Sequence, residues 1–489
     1  MHSENLKKAT VSSIVWKLLE RGGRSLVELV VQIFLARLLA PDDFGALAVM
    51  LVFVSIGNVI VQSGLNTALV QSPDIDQDDC STVFWLCFCM SLGLYAIVFL
   101  VAPAVASFYV MPHIVWPLRA LALILLIGAF NSVQVAIVQR ELQFRKVFNA
   151  TLVAVLASGI VGVGVALAGG GLWALVVQQL VYQVTSCAVL GVNVKWHPHL
   201  VFNPARALAL FGFGWKLLAS GLLDQGYQSL SDLIIGKQFS STSLGLVSQG
   251  KKYPQAIGSM LDGAIQPVML SAVAHVQFDV AQVKRLVRRA LKTSTFLIVP
   301  AMTLFAVAAE PVVRILLGEQ WVPCAPFLQM YCFVYALLPI HTANLQALNG
   351  MGRSDLFLKL EVVKKSYGVV FLLVAAFVFR DVYVMVGTYM LTGVIATFVN
   401  SYPNKRVIDY SYCEQLRDIA PAFVLSAASG AAALVVGALV TAPAAKIAVE
   451  TVIMLAAYLG LSALLRLEAF TYLVATAKGF LGSRNGAKA

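Results

Sequence analysis

Apolar windows of about 18 residues or more, enough to span a bilayer, recur along the whole chain with polar or Gly/Pro breaks between them. They fall at 12–38, 45–70, 82–107, 114–138, 149–168, 172–193, 210–236, 246–273, 291–309, 327–348, 360–379, 382–402, 418–440 and 446–465. The pattern predicts an all-α integral membrane protein of about fourteen transmembrane helices, of which the seventh and eighth are the most polar. A tail from Arg466 to Ala489 follows, and its stretch LEAFTYLVATAKGF reads as an amphipathic helix at the membrane interface.

The polar positions inside these windows are patterned too. In the first window Lys17, Arg21, Arg24 and Glu28 lie four, three and four residues apart, which puts them on one helix face. In the seventh, Lys216, Ser220, Asp224, Gln228 and Asp232 follow one another at intervals of four. A charged side chain at membrane depth costs at least ~2.5–3.5 kcal/mol, so such stripes face protein or water rather than lipid.

The two striped windows are related. ARLLAPDDFGALA from Ala36 aligns without gaps on GKQFSSTSLGLVS from Gly236, matching Arg37 with Lys237, Phe44 with Leu244 and Gly45 with Gly245. Carried outward, the same offset pairs Arg24 with Asp224, Glu28 with Gln228, Gln32 with Asp232, Gln62 with Asp262 and Asn66 with Gln266. Each copy has a polar-striped span, a short turn with a Gly, and a second span bearing amides or acids. Six helices separate the copies, so they run in the same direction. Parallel repeats of this kind form two lobes about an axis normal to the membrane, with a site between them. The expected organisation is two pseudo-symmetric six-helix lobes, 1–209 and 210–409, followed by two C-terminal helices and a tail, 410–489.

Composition agrees with a surface that faces hydrocarbon. The chain is 59% hydrophobic and 12% charged, against about 45–50% and ~25% in soluble domains. The net charge of +11 comes from short basic clusters between spans, which orient membrane segments and do not form a nucleic-acid footprint. With Lys7 and Lys8 inside, the same side collects Arg140, Arg145 and Lys146; Lys195 and Arg206; Lys284 to Lys292; Arg353 and Lys359; Lys405, Arg406 and Arg417. This places both termini in the cytoplasm. The polar start MHSENLKKAT precedes no short apolar signal region, so cleavage is not expected. Seven cysteines, an odd number without paired spacing and mostly within apolar spans, read as core hydrophobes.

No HExxH, P-loop, GxSxG or CxxC signature is present, so neither an enzyme nor a cofactor or metal is expected. His197 and His199 flank Pro198 in a loop, and Gly169 to Gly171 read as a tight turn. The cluster KRLVRRALK, 284–292, reads as an amphipathic topology anchor. Arg24, Lys216, Lys237, Lys251 and Lys252 offer cations suited to a diphosphate. Gln32, Asn58, Gln62, Asn66, Tyr227 and Gln228 offer amides and hydroxyls suited to sugars. The competing reading is that Arg24 pairs with Glu28, and Asp224 with Lys216, as structural contacts. The candidate substrate-binding set is therefore Arg24, Glu28, Gln32, Gln62, Asn66, Lys216, Asp224, Gln228, Asp232 and Asp262.

The run LARLLAPDDFGALAVMLVF, followed by QSGLNTALVQSPD at 62–74, and the tract LQALNGMGRSDLFLKLE at 345–361 resemble the polysaccharide transporter family. That family sits within the multidrug/oligosaccharidyl-lipid/polysaccharide exporter superfamily, and the likeness is narrowest to its Wzx-type flippases of the colanic acid and exopolysaccharide group. The resemblance implies a bacterial inner-membrane flippase for undecaprenyl-diphosphate-linked oligosaccharide repeat units, serving exopolysaccharide or lipopolysaccharide assembly by alternating access of the lobes. It also implies a cavity lined by helices 1, 2, 7 and 8, with Arg24 the match to diphosphate-binding arginines. Asp224 at the repeat-equivalent position does not support a symmetric arginine clamp. Membrane lipids and a polysaccharide polymerase or co-polymerase complex are the implied partners. The rival readings are a proton- or sodium-coupled multidrug antiporter using Glu28, Asp224, Asp232 and Asp262, a membrane-embedded polymerase or ligase, and a channel-like scaffold. The polymerase or ligase is disfavoured because no large extracytoplasmic loop exists to carry its chemistry.

Overall fold

The computed structural model describes residues 23, 27–71, 76–141 and 143–475. The described residues are helical throughout, without strands. Twelve segments among them are long and apolar enough to cross a membrane. Of the fourteen expected spans, the first begins outside the described residues. The seventh, a helix of 35 residues over Pro204–Gln238, is long enough, but its polar stripe keeps it from the apolarity of the others. Large apolar side chains such as Leu100, Ile160, Val192, Val435 and Leu439 are 70–81% exposed. Dozens of such groups in water would be untenable, so this surface faces lipid. The chain is a multi-pass membrane protein.

The chain forms two compact units, Met1–Ser248 and Gln249–Ala489. The first contains α1 (27–38), α2 (Pro41–Gln71), α3 (Gln77–Phe108), α4 (Val115–Leu121), α5 (Leu123–Arg140), α6 (Phe144–Leu167), α7 (Leu172–Val194), α8 (Pro204–Gln238) and the start of α9 (Ser241–His275). Local chemistry sets each boundary. Asp76 caps α3, its Oδ1 accepting from the Asp79 N–H at 2.7 Å, while Asp79 returns a bond to the Asp76 N–H. The turn between α6 and α7 needs left-handed backbone at Gly169 (φ 81°) and Gly171 (φ 50°), as the triple glycine predicts. Arg119 stacks over Phe99 and Trp116, 4.1 and 4.9 Å from their ring centres, and donates to the Phe99 carbonyl at 3.0 Å. That ties α4 to α3.

The loop after α7 is sewn to the start of α3. The carbonyls of His197 and His199 accept from Gln77 and Trp85 at 2.9 and 2.8 Å. Ser81 and Thr82, both fully buried, accept from the N–H groups of His199 and Asn203 at 3.0 and 3.2 Å. The two histidines thus join α3 through their backbone, and the His199 ring also lies 3.9 Å from the Asp78 carboxylate.

The second unit holds the rest of α9, then α10 (Val280–Val307), α11 (Ala309–Leu316), α12 (Ala325–Ala336), α13 (Leu338–Gly350), α14 (Ser354–Val374), α15 (Val382–Ser401), α16 (Asn404–Val407), α17 (Tyr412–Gly437), α18 (Pro443–Leu464) and α19 (468–475). The start of α10 is amphipathic. Val283, Val287 and Leu291, four residues apart, are fully buried against Ile340, Ala343, Ile408 and Tyr410. Its other face bears Lys284, Arg288 and Lys292, which meet acids of α17 and α19. Arg288 grips Asp418 with two 2.7 Å bonds, Lys292 reaches Asp418 at 3.0 Å and Glu468 at 2.7 Å, and Lys284 reaches Glu414 at 3.2 Å. The basic cluster is therefore an ion-paired latch on both its neighbours, more than a topology anchor. The tail helix lies over the same place, with Leu467, Phe470 and Leu473 packed on Phe296, Leu425 and Tyr458.

One knot in this unit is wholly polar. The Asn344 amide donates to the Ile340 carbonyl (2.8 Å), Ser401 Oγ (3.1 Å) and Gln415 Oε1 (2.8 Å), and its Oδ1 accepts from Asn404 (2.5 Å) and Gln415 (3.0 Å). All four side chains are 0% exposed. The knot joins α13, α15, α16 and α17, and in a low-dielectric interior such a network holds one arrangement, although Asn404 Oδ1 has no hydrogen-bond partner among the described residues.

Candidate functional site

The candidate site residues divide by place. Arg24, with Lys17 and Arg21 of the same stripe, lies outside the described residues. Glu28 and Gln32 are on α1, Gln62 and Asn66 on α2, and Lys216, Asp224, Gln228 and Asp232 on α8, all in the first unit. The Lys216 side chain also lies outside the described set. Asp262 is in the second unit, where its carboxylate accepts from the Thr342 hydroxyl.

Within the first unit the α2 amides share a small chamber with α5 and α7. Gln62 Nε2 donates to Asn58 Oδ1 at 3.2 Å, one turn away. Both lie over Gly128 of α5, where an added Cβ would come within 2.9 Å of the Gln62 amide, 3.3 Å of Asn58 Oδ1 and 4.0 Å of the Gln183 amide. A glycine is needed so that three amides can approach that backbone. Asn66 accepts from Ser132 at 2.5 Å. Gln32, Gln134 and Gln178 are buried, and among the described residues their Oε1 atoms, with Asn131 Oδ1, have no hydrogen-bond partner. Each buried orphan acceptor costs ~1–3 kcal/mol, so this interior is poised to take up hydroxyl or water donors. Asn131, Ser132, Gln134, Gln178 and Gln183 were not on the candidate list. Their signal was available: an amide inside an apolar window is as informative as a charge.

Helix α8 has two polar faces with different roles. Gln225 and Ser229 point to α2, where Gln225 Nε2 donates to Ser55 Oγ at 3.1 Å and to Ser229 Oγ at 2.9 Å. Further along, Gly236 lies so close to Val49 that a Cβ would sit 2.9 Å from Val49 Cγ2. On the other face Ser220, Asp224 and Gln228 are exposed, with Gln228 Nε2 donating to Asp224 Oδ2 at 2.7 Å. An exposed acid–amide pair on a membrane helix marks a hydrated surface rather than a lipid contact.

The repeat found in the sequence is visible as a reciprocal contact. At the start of α2, a Cβ on Gly45 would lie 1.8 Å from the Ser241 carbonyl oxygen. At the start of α9, a Cβ on Gly245 would lie 1.9 Å from the Pro41 carbonyl oxygen. Pro41 and Ser241 are themselves 200 residues apart, so residue i meets j+200 while j meets i+200, the mark of a two-fold relation. The Ser241 hydroxyl adds a bond to the Asp42 carboxylate.

The model of the family described as "Polysaccharide biosynthesis protein" matches residues 34–326, more than half of the chain. The chain belongs to that family. It is 23% identical over 346 residues to a succinoglycan biosynthesis transport protein, ExoT, of Rhizobium meliloti (strain 1021), covering 71% of this chain and 70% of the relative. It is 22% identical to the lipopolysaccharide biosynthesis protein WzxC of Escherichia coli (strain K12), covering 86% of each. Its fold is similar to that of a lipid II flippase, MurJ, in an inward closed conformation, with a TM-score of 0.76 at 10% identity, covering 93% of this chain and 98% of that one. It is also similar to an inward-facing multidrug resistance MATE family transporter, with a TM-score of 0.56 at 14% identity, covering 79% and 96%. The all-α membrane architecture is thereby established, and the protein is a multi-pass membrane protein of the polysaccharide biosynthesis family.

Proposed function

We propose that the chain is a flippase that moves polyprenyl-diphosphate-linked oligosaccharide repeat units across the bacterial inner membrane for exopolysaccharide or lipopolysaccharide assembly. The observation that carries this reading is the amide chamber of the first unit, Asn58, Gln62 and Gln183 over Gly128. A neutral, amide-rich surface suits the many hydroxyls of a glycan, because each amide both donates and accepts. It suits a cationic drug poorly, since that would call for carboxylates or aromatic faces. Asp224 and Gln228 extend the polar surface along α8. The basic stripe that the sequence carries ahead of α1, with Arg24, provides for the diphosphate, and transport follows from exposing the polar surface to one side of the membrane and then the other. The relatives' printed roles in succinoglycan transport and lipopolysaccharide biosynthesis support the same substrate class.

The test is a deletion strain. It is expected to accumulate lipid-linked repeat units on the cytoplasmic leaflet and to lose surface polymer. The parent gene restores export, and Gln62→Leu restores less than about a tenth of it, the loss of one or two buried hydrogen bonds to substrate. Unchanged lipid-linked sugar in the deletion strain, with lost efflux of a cationic dye, would replace this reading with the antiporter.

A further inference from the structure

Away from the amide chamber, a cavity of about 510 Å³ opens in the first unit where α2, α5 and α7 end and α3 begins. Its size falls within the range of small-molecule sites, about 300–1,000 Å³. Among the described residues four charged side chains line it, the cations Arg140 and Lys195 and the carboxylates Asp76 and Glu141. Trp196, nine-tenths buried, completes the wall. Its indole N–H has no hydrogen-bond partner among the described residues.

The wall is built to hold its shape. Trp196 packs edge-on against Phe84 at 5.9 Å, and the loop that follows is pinned to α3 through Gln77, Ser81 and Trp85. Arg140 is fixed by a 3.4 Å bond to the Leu69 carbonyl. Asp76 commits one carboxylate oxygen to the α3 cap.

Among the described residues, the two cations and two carboxylates that line this cavity balance in charge. Neither a simple anion nor a simple cation is then favoured by the field, since each meets an equal number of like charges. The ligand that satisfies the whole wall carries an anionic group and several hydroxyl donors together. We propose that this cavity is a second substrate site, which takes a phosphorylated sugar headgroup. Arg140 and Lys195 receive the phosphate oxygens by charge-assisted bonds, and Asp76 and Glu141 accept from sugar hydroxyls. The site rests on the transport reading above, and in that reading it holds the headgroup before the amide chamber does. A zwitterionic phospholipid headgroup shares the phosphate but lacks the hydroxyls, so it satisfies the cations and only one acid.

The experiment is calorimetric titration of the purified full-length chain in detergent with glucose 1-phosphate, and with inorganic phosphate and phosphoethanolamine as comparisons. Lys195 is exposed and has left-handed backbone, φ 54°, so Lys195→Gly removes the charge at a position glycine occupies without strain. Arg140→Gln is the second variant, and melting temperature checks that each variant is folded. Glucose 1-phosphate is expected to bind at least about tenfold tighter than inorganic phosphate, and each variant to weaken it about tenfold or more, the worth of one charge-assisted bond. Binding as tight in both variants as in the parent overturns the proposal, as does the absence of binding by the parent. Equal competition by phosphoethanolamine overturns it in favour of a lipid site. Lost export in the Gln62 variant without binding here removes this site alone. Binding here with normal lipid-linked sugar in the deletion strain removes the transport reading alone.

Discussion

Substituting alanine for Gly45 places a methyl carbon 1.8 Å from the Ser241 carbonyl oxygen and 2.5 Å from its carbon. Both are backbone atoms at the start of a helix, and neither can turn aside as a side-chain tip can. Ordinary contact requires the start of α9 to retreat by more than about 1 Å, and forced repacking of this size costs ~1–3 kcal/mol. Gly245→Ala imposes the same demand on Pro41, at 1.9 Å. The reciprocity sharpens the expectation. Once one methyl has parted the helices, the second enters a gap already opened, so the double variant costs less than the sum of the single ones by about 1 kcal/mol or more. Gly128→Ala is the contrasting case, because its methyl meets the amide end of Gln62 at 2.9 Å, which can rotate. It is expected to lower export with a stability loss under about 1 kcal/mol. Thermal melting of the purified chains measures the stability terms, and complementation of the deletion strain measures export. Parent-like melting of Gly45→Ala, or a double variant with strictly additive loss, would show that the two helix starts do not share one contact.

In the polar knot, Asn344→Leu removes the four hydrogen bonds its side chain shares with Gln415, Asn404 and Ser401 at full burial, leaving Ser401 bonded to Gln415 at 2.9 Å. It is expected to lower stability by about 3–5 kcal/mol, and Gln415→Leu added to it to cost far less than it does alone, both read by melting. In the latch, Asp418→Asn loses the bidentate Arg288 contact and Lys292 around a carboxylate that is 5% exposed. It is expected to cost about 2 kcal/mol and to raise the protease sensitivity of the chain after Leu465. The ion pair with Lys292 holds the Glu468 carboxyl below its ordinary value. Its contribution is therefore complete above about pH 4.5 and is lost as pH falls below that, so tail protection is expected to be flat from pH 5.5 to 8. Glu468 is 73% exposed, and screening keeps its share to about 0.5 kcal/mol.

Hydrophobic periodicity made nearly all of the fold legible, because a membrane helix must carry its apolar length in one uninterrupted run. Interruptions inside a run were not legible. The span 114–138 contains a break at Ala122 between α4 and α5, and 327–348 contains one at Leu337 between α12 and α13. In each a residue with ordinary helical backbone ends one helix and starts the next, and the marks beside them, Arg119 in the last turn of α4 and Pro339 in the first turn of α13, do not interrupt the apolar run. The site was half legible. Charge stands out in an apolar window, so the α8 stripe was found, whereas the neutral amides of α5 and α7 blended into it. The ion-paired latch was read only as a basic cluster, since its acids Asp418 and Glu468 lie 130 and 176 residues from Arg288 and Lys292.

The weakness of the repeat in sequence has a physical cause. Where the two copies touch, backbone meets backbone at Gly45 and Gly245, and any side chain would collide. Those positions tolerate one residue type, so they match. The positions 200 residues apart on the polar faces are under no such limit. Gln228 is exposed on α8 and Gln62 borders a chamber, so steric fit leaves their counterparts free to differ, as Glu28 and Asp262 do. A two-fold frame with unlike polar surfaces suits a substrate without a two-fold axis, as the oligosaccharide proposed above is. In the sequence Arg24 and Asp224 stand at matched positions with opposite charge, and exchanging them tests whether the direction of that charge matters. The Arg24→Asp, Asp224→Arg double variant keeps the net charge and the frame but reverses the polarity. It is expected to melt like the parent and to export less than about a tenth as much. Normal export by that variant would mean that the frame alone, without the direction of its charges, is enough.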